Sequence, residues 1–556
     1  MLFYFFIITN FNANSKEVYM NYKILSFVSI VLFSATMILF SAQVSHSFWE
    51  GLNISEKLDA SQTEELQTYL EDFFGSDLAY PPQYFDNDAD EIYGLRLNMP
   101  GKTWGEYTLI SNMGFNLNEC TGLPGAPEPG FGGRSYCGAL LIDMEGNLVN
   151  GWGTTVLGIP AKMLPNGDVM LGQDGFFEGL LTQVSWNGDV VNQWGPMHHD
   201  HQREGNPVGY YAPGLRALSD SGITMRMERE SASAPEISDY TLEDDLIIQE
   251  DWYGAEVWRW TAREHFFPDD ETGNLGFGLD ENALLAVKEG PFINGIEGGH
   301  DYTHANCASW LGPNPWFETP YRHRHRGRHH GKQCEKDYRF HPDNIIVDFR
   351  SMNVLFIIAR HDHPDGLWKE GAIVWRVGPD FSAQMPEHKI GQIIGPHHTH
   401  MIPRGLPGAG NILVFDNGGS AGFGSYFPGM TNGAGGAIGT YPNTFRSYSR
   451  IVEFNPITLD VVWEYIQPKP TSDLDGDGNT IGNERKFFAS HYSSAQRLKN
   501  GNTLITEGNS GRIFEVTPEN EVVWEYVNQP GRFFYFGDYR AYRIPGSWVY
   551  RHLSQD

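Results

Sequence analysis

The sequence predicts an all-β fold, a six-bladed β-propeller preceded by a short helical N-terminal segment. Three observations lead there. A strand–turn–strand unit ending in Trp recurs along the chain, a second unit built on an Asn-Gly turn alternates with it, and helical periodicity all but disappears after Tyr107.

The Trp unit reads LIDMEGNLVNGW from Leu141 to Trp152 and VSWNGDVVNQW from Val184 to Trp194. Weaker copies end at Trp258, Trp375 and Trp463, and the last ends at Trp524. The other unit is MLPNGDVM from Met163 to Met170 and QRLKNGNTLI from Gln496 to Ile505. Asn-Gly between alternating apolar residues is a strong hairpin signal. Two hairpins make a four-stranded sheet. About six such sheets in an open stack would leave long exposed edges, which radial closure removes. The tryptophans are then expected to pack between neighbouring blades.

Composition agrees. The 556 residues include 63 Gly and 32 Pro, with 40% hydrophobic and 14% aromatic residues. That suits a turn-rich β protein, too long for one ordinary core unless the chain closes on itself. A formal charge of −30 excludes the basic footprint that nucleic acid requires.

Along the chain, residues 1–48 hold an uncharged apolar run, Ile24 to Val44, behind Lys23, with Met20 as a start. This is the pattern of a secretory signal or an N-terminal membrane anchor, and it predicts a periplasmic or secreted protein. Residues 49–104 contain an amphipathic helix, Ile54 to Phe74, with Ser61 as N-cap and Glu64 as capping-box partner, and then an acidic linker. The propeller is expected over 105–545. Cys120 and Cys137 bracket a Gly/Pro-rich loop, and Cys307 and Cys334 bracket an insertion at 313–340 that carries RHRHRGRHH. Two sequence-local disulfides suit export, although spacing leaves the pairing open. The insertion reads as a solvated loop, or as an anion-attracting or metal-binding lip. In 473–484, Asp473, Asp475, Asp477, Asn479 and Glu484 have the spacing that wraps a structural Ca²⁺.

The innermost strand of each propeller blade lines the axis, so side chains from distant sequence meet there. Three stretches carry the chemistry: His198-His199-Asp200-His201, Asp301-Tyr302-Thr303-His304-Ala305-Asn306-Cys307 and His397-His398-Thr399-His400. Strand alternation pairs His199 with His201, His304 with Asn306, and His398 with His400 on common faces. Arg360 ends the apolar strand Val354 to Ala359, and a buried arginine needs an anionic partner.

With these motifs in order, the sequence resembles the aryl-sulfate sulfotransferases, exported bacterial six-bladed propellers. The likeness covers about residues 105–530. It rests on HHD (His198 to Asp200), DYTHAN (Asp301 to Asn306), the strand ending in Arg360, HHTH before NILVFDNG (Asn411 to Gly418), and SSAQRLKNGNTLITEG (Ser493 to Gly508). The resemblance implies transfer of a sulfuryl group from a phenolic sulfate donor to a phenolic acceptor through a transient sulfohistidine, with neither a nucleotide sulfate nor a catalytic cofactor. Carried over, it makes His398 the nucleophile, with His397 and His400 as competitors. His199, His304, Asn306 and Arg360 would hold the sulfuryl and phenolic oxygens, with His198 beside them. The chain departs from the family pattern in flanking His398 with two more histidines and in the long insertion before Arg360. Two alternatives stand beside this reading. One is a metal-dependent enzyme holding Zn or Fe on His198, His199, Asp200 and His201; the other is a propeller that binds a ligand without turnover. The oligomeric state is left open.

Overall fold

The hairpin turns expected from Asn-Gly form. Gly167 and Gly501 take φ of 85° and 98°, a left-handed conformation that glycine reaches without the Cβ clash other residues meet. Each pair of hairpins becomes one antiparallel four-stranded sheet, and there are six of them.

From axis to rim, blade 1 is Asp538–Ile544, Tyr107–Asn112, Ala139–Asp143 and Leu148–Trp152. Blade 2 is Lys162–Met163, Val169–Gln173, Gly179–Val184 and Val190–Met197. Blade 3 is His201–Arg203, Thr224–Ser233, Thr241–Glu250 and Glu256–Thr261. Blade 4 is Ala305–Trp310, Ile345–Phe349, Val354–Ile358 and Ile373–Val377. Blade 5 is Pro396–Met401, Ile412–Asp416, Arg450–Phe454 and Val461–Tyr465. Blade 6 is Ser494–Arg497, Thr503–Glu507, Arg512–Val516 and Val522–Val527, with Gly94–Asn98 added outside as a fifth strand.

The protein is therefore a six-bladed propeller. In blade 1 the C-terminal strand Asp538–Ile544 pairs with Tyr107–Asn112, which ties the two ends of the ring together. This computed structural model describes residues 93–112, 118–129, 133–153, 159–173, 179–289, 301–318, 336–418, 446, 448–467, 487–489, 492–528 and 537–553. All belong to one compact unit, 89–556. The sheets begin at Gly94, ahead of the expected 105, and a short helix, Tyr550–Leu553, follows the last strand.

Six tryptophans join the blades in a closed ring. Each indole N–H donates to a backbone carbonyl of the next blade: Trp152 to Ser185, Trp194 to Asp251, Trp260 to Gly371, Trp375 to Pro456, Trp463 to Pro518, and Trp524 to Met144 of blade 1. The aromatic bodies fill the space between sheets while the polar tip finds its partner, which is how a buried indole avoids an unmet donor. In blade 3 the anchoring residue is Trp260, two positions beyond the expected Trp258. Strand alternation leaves Trp258 half-buried, under the Arg360 guanidinium.

Cys120 and Cys137 form a disulfide across a separation of 17 residues. The second expected pairing does not match the position of Cys307. It is a free, buried thiol on the innermost strand of blade 4, with Sγ 3.2 Å from the Thr399 carbonyl of blade 5. Cys334, the apolar segment within 1–48, the helix at 54–74, the RHRHRGRHH run and the candidate calcium loop at 473–484 lie outside the described residues. Among the described residues no helix is long and apolar enough to cross a membrane.

Candidate functional site

The three histidine stretches do reach the axis, and each breaks its strand there. His199, His304 and His398 have φ of 52°, 48° and 52°, the left-handed region that non-glycine residues occupy at a cost of order 1–3 kcal/mol each. These kinks spoil simple alternation, so side chains two apart need not share a face.

At one mouth of the axis His199 and His304 meet edge to face, ring centroids 4.8 Å apart. Both are only half-buried. His304 Nδ1 contacts the Asp301 carboxylate, and Asp301 also pairs with Arg229 at 3.1 Å. Arg229 in turn pairs with Asp245 at 3.1 Å, whose carboxylate lies 3.2 Å from His198 Nε2. His198 Nδ1 is 2.8 Å from His199 Nδ1. Tyr539 of blade 1 donates its hydroxyl to the His199 carbonyl at 3.2 Å. Burial alone would raise Asp245, but Arg229 and His198 hold it far below the usual carboxylate range. Burial lowers His199, with His304, His198 and Arg229 adding to the effect. Burial also lowers His304, against the pull of Asp301. Both imidazoles are therefore neutral at pH 7.

His397 stands in the innermost strand of blade 5, next to Pro396, whose carbonyl accepts from Asn306 of blade 4 at 3.1 Å. Its tautomer follows from its neighbours. Asn417 commits its amide N–H groups to the carbonyls of Ala489 (2.6 Å) and Tyr492 (2.9 Å), so Asn417 Oδ1 must face His397 Nδ1, 2.7 Å away. The Gly395 carbonyl, 3.0 Å off, is a second acceptor for the same nitrogen. Nδ1 therefore carries the proton and Nε2 the lone pair. Burial, reinforced by Arg350 and opposed by these hydrogen bonds, keeps the ring well below its ordinary pKa.

Below the mouth a charged belt crosses the axis. Lys162 Nζ of blade 2 sits 2.6 Å from Asp200 Oδ1 of blade 3, and Arg540 Nη1 of blade 1 is 3.2 Å from Asp200 Oδ2. Arg540 Nη2 also donates to the Asn306 carbonyl of blade 4 at 2.7 Å, while Asn306 Nδ2 donates to the Pro396 carbonyl of blade 5 at 3.1 Å. Burial would raise Asp200, but two adjacent cations keep it ionised.

His398 and His400 lie with a separate aromatic group, their rings 4.7 Å apart. His400 Nδ1 donates to the His398 carbonyl at 2.8 Å, and Tyr210 donates its hydroxyl to His400 Nε2 at 2.8 Å. Burial brings His400 down to about 4. His398 Nδ1 lies 3.0 Å from the Ala495 carbonyl, and its Nε2 is 3.4 Å from the Tyr542 hydroxyl. Both rings are buried and already engaged in hydrogen bonds.

The expected residues thus divide into groups. His198, His199 and His304 share the mouth, Asn306 sits just behind it and joins the blade 5 strand that carries His397, and His398 and His400 belong to the aromatic group. Arg360 is elsewhere. It pairs with Glu370, reaches Gln249 at 3.3 Å and stacks 4.0 Å over Trp258. Besides Arg229, the arginine near the histidines is Arg350, whose backbone N–H donates to the His304 carbonyl at 3.1 Å and whose charge adds to the lowering of His304 and His397 by burial. The error has a simple cause. Residues 350–353 turn the hairpin at the His304 end, and the five-residue strand Val354–Ile358 then carries the chain to the opposite end before Arg360. Arg229, Asp245, Arg540 and Tyr539 were also missed, since each lies outside a recognisable motif; Asp301 stood within DYTHAN.

The His198–His201 cluster does not converge as a metal centre. His199 turns to the mouth, whereas the His201 backbone carbonyl accepts from Lys162 at 2.6 Å in a region where Lys162 and Arg540 supply positive charge that opposes a cation.

The fold and site together define a six-bladed β-propeller whose axis carries a cluster of neutral histidines at one mouth and a charged belt behind it. No protein-family model and no curated protein matches the chain. Among solved structures, a protein of unknown function from Bacteroides caccae is similar at 10% identity, covering 79% of this chain and 99% of that one, with TM-score 0.34. A putative 6-phosphogluconolactonase from Bacteroides fragilis gives 8%, 80%, 100% and 0.33. The Pseudomonas aeruginosa periplasmic gluconolactonase gives 9%, 76%, 97% and 0.33. At these scores the likeness carries no argument, and the class rests on the blades themselves.

Proposed function

We propose that the chain is an exported aryl-sulfate sulfotransferase in which His397, rather than His398, is the nucleophile. The observation that carries this reading is the edge-to-face meeting of His199 and His304 beside Arg229, with His397 in the adjacent innermost strand of blade 5, which Asn306 joins to blade 4 through the Pro396 carbonyl.

His397 Nε2, its lone pair left available by the tautomer, attacks sulfur as the bond from sulfur to the phenolic oxygen breaks. A neutral imidazole is a competent nucleophile and splits one transfer into two easier ones. Guanidinium groups suit the sulfuryl oxygens, since they stay charged and present forked donors. The leaving oxygen departs as phenolate; neutral His304 or His199 then removes the proton of the acceptor phenol as it attacks the sulfohistidine, and the imidazolium so formed passes that proton to the departed phenolate or to water. The Asp301 contact with His304 supports the imidazolium form that appears on the way.

The test is mass spectrometry of protein quenched after exposure to 4-nitrophenyl sulfate alone. The expected result is one added SO₃ located by fragmentation on His397, absent in His397→Gln and retained in His398→Gln. A label on His398, or on a tyrosine or serine, overturns the assignment. Absence of any label together with saturable binding of the sulfate ester would mark a ligand-binding propeller instead.

A further inference from the structure

We propose that the end of blade 4 opposite the histidine mouth carries a transition-metal site fit for Zn²⁺, built from His341, Asp343 and His361. The inference is independent of the sulfuryl-transfer reading.

These three residues approach the start of strand Ile345–Phe349 and leave the end of strand Val354–Ile358, so one hairpin presents them side by side. His361 Nε2 is 2.8 Å and His341 Nδ1 3.7 Å from Asp343 Oδ2. The two rings meet edge to face with centroids 4.8 Å apart, and one donor atom from each residue falls within 4.8 Å of the others. Donors around a tetrahedral zinc, each at about 2.0–2.2 Å from it, lie roughly 3.3–3.5 Å from one another. Closing to that spacing takes side-chain rotation, and a metal on His341 Nδ1 would replace the Asp343 backbone N–H that this nitrogen accepts at 3.2 Å. Two imidazoles and one carboxylate favour zinc or a similar transition ion over calcium or magnesium, and they leave a fourth position for water.

The backbone under the site is fixed by one buried side chain. Asn344 Nδ2 donates to the carbonyls of Tyr338 (3.1 Å) and Arg339 (3.0 Å), while its Oδ1 accepts the Arg360 N–H at 2.9 Å. That clasp ties the turn leading to His341 to the residue preceding His361, so the two ligand-bearing segments hold a common geometry before any ion arrives. Phe317 packs edge-on against His341 at 4.6 Å and restricts its ring. Two cations stand near: Arg360 is neutralised by Glu370, and Lys336 lies over the Phe317 ring, 4.4 Å from its centroid. A bound ion would cross-link both segments and brace this end of the blade.

The measurement is isothermal titration of the full chain with zinc chloride, in a background where His323, His325, His329 and His330 are glutamines so that the histidine-rich run of the sequence contributes no sites. One ion per chain is expected. His361→Ala and Asp343→Asn should each weaken binding by about 10-fold or more, whereas His363→Ala, whose ring packs on Trp368 at 4.3 Å, should leave it unchanged. Failure of the four-glutamine background to take up zinc, or uptake unaltered by His361→Ala, overturns the proposal. His361 and Asp343 are more than half exposed, so their variants keep the fold.

Discussion

Replacing Asp200 by asparagine should destabilise the propeller more than any other single change on the axis. Among the described residues this carboxylate is the one acidic partner drawn directly between Lys162 and Arg540, and all three side chains are essentially buried. Asparagine keeps the shape but removes the negative charge, leaving two cations facing each other in a low-dielectric core. Breaking a buried pair in this way costs about 3–5 kcal/mol, which is roughly a 10²- to 10⁴-fold change in the unfolding equilibrium. Urea unfolding followed by tryptophan fluorescence, with the ring of six indoles as reporter, reads this directly. A companion variant, Lys162→Met, should cost less, because Asp200 then still faces Arg540 and accepts the His201 N–H at 2.8 Å. In that background Asp200→Asn should lose less than in the wild type, with a coupling of about 0.5–3 kcal/mol. The pH dependence carries the same sign. Asp200 has its folded pKa depressed, so its stabilisation is complete above the unfolded carboxylate value of about 3.9 and is lost as pH falls below it. The gap between wild type and Asp200→Asn should therefore close in acid. Equal costs in both backgrounds, or a loss under about 1 kcal/mol at pH 7, would show that the belt does not depend on this carboxylate.

Two further outcomes follow from the placement of charges. Arg350→Ala should lower kcat/KM for an aryl sulfate by about 10²-fold or more, while Arg360→Ala changes it little; steady-state kinetics on the pair refutes the assignment if the order reverses. Asp538 is buried, with one oxygen taking the Asn528 amide at 2.7 Å, and burial raises its pKa to about 8. Its stabilisation is thus present below the unfolded carboxylate pKa and is lost as pH rises towards 8, so Asp538→Asn should flatten the stability profile between about pH 4 and pH 8, measured by thermal unfolding across that range.

Much of the architecture was legible because it is local. An Asn-Gly turn between alternating apolar residues closes a hairpin whatever surrounds it, and a Trp at the end of each outer strand recurs because every blade must seal against the next. Even so, Trp260 and not Trp258 makes the blade 3 contact: it stands six residues after the turn glycine Gly254, as Trp152 and Trp194 do after Gly146 and Gly188. The histidine stretches were legible as axial for the same reason: they open innermost strands. Their grouping was not. His199 with His201 was the pair expected from alternation, yet the left-handed φ of His199 sends its ring to His304, whereas His398 and His400 do share a cluster.

The sequence by itself determined the blade count, the hairpin turns, most of the seams between blades and the stretches that reach the axis, because those depend on periodicity and on conformations that neighbouring residues impose. Only the tertiary structure decided which side chains meet. Arg350 rather than Arg360 lies beside the histidines because an antiparallel hairpin sends its two ends to opposite faces of the disc. His397 was set apart from His398 by a hydrogen-bond chain running through Asn417 to Ala489 and Tyr492, far along in sequence. Contacts of that kind follow from ring closure, which no single stretch of the chain encodes.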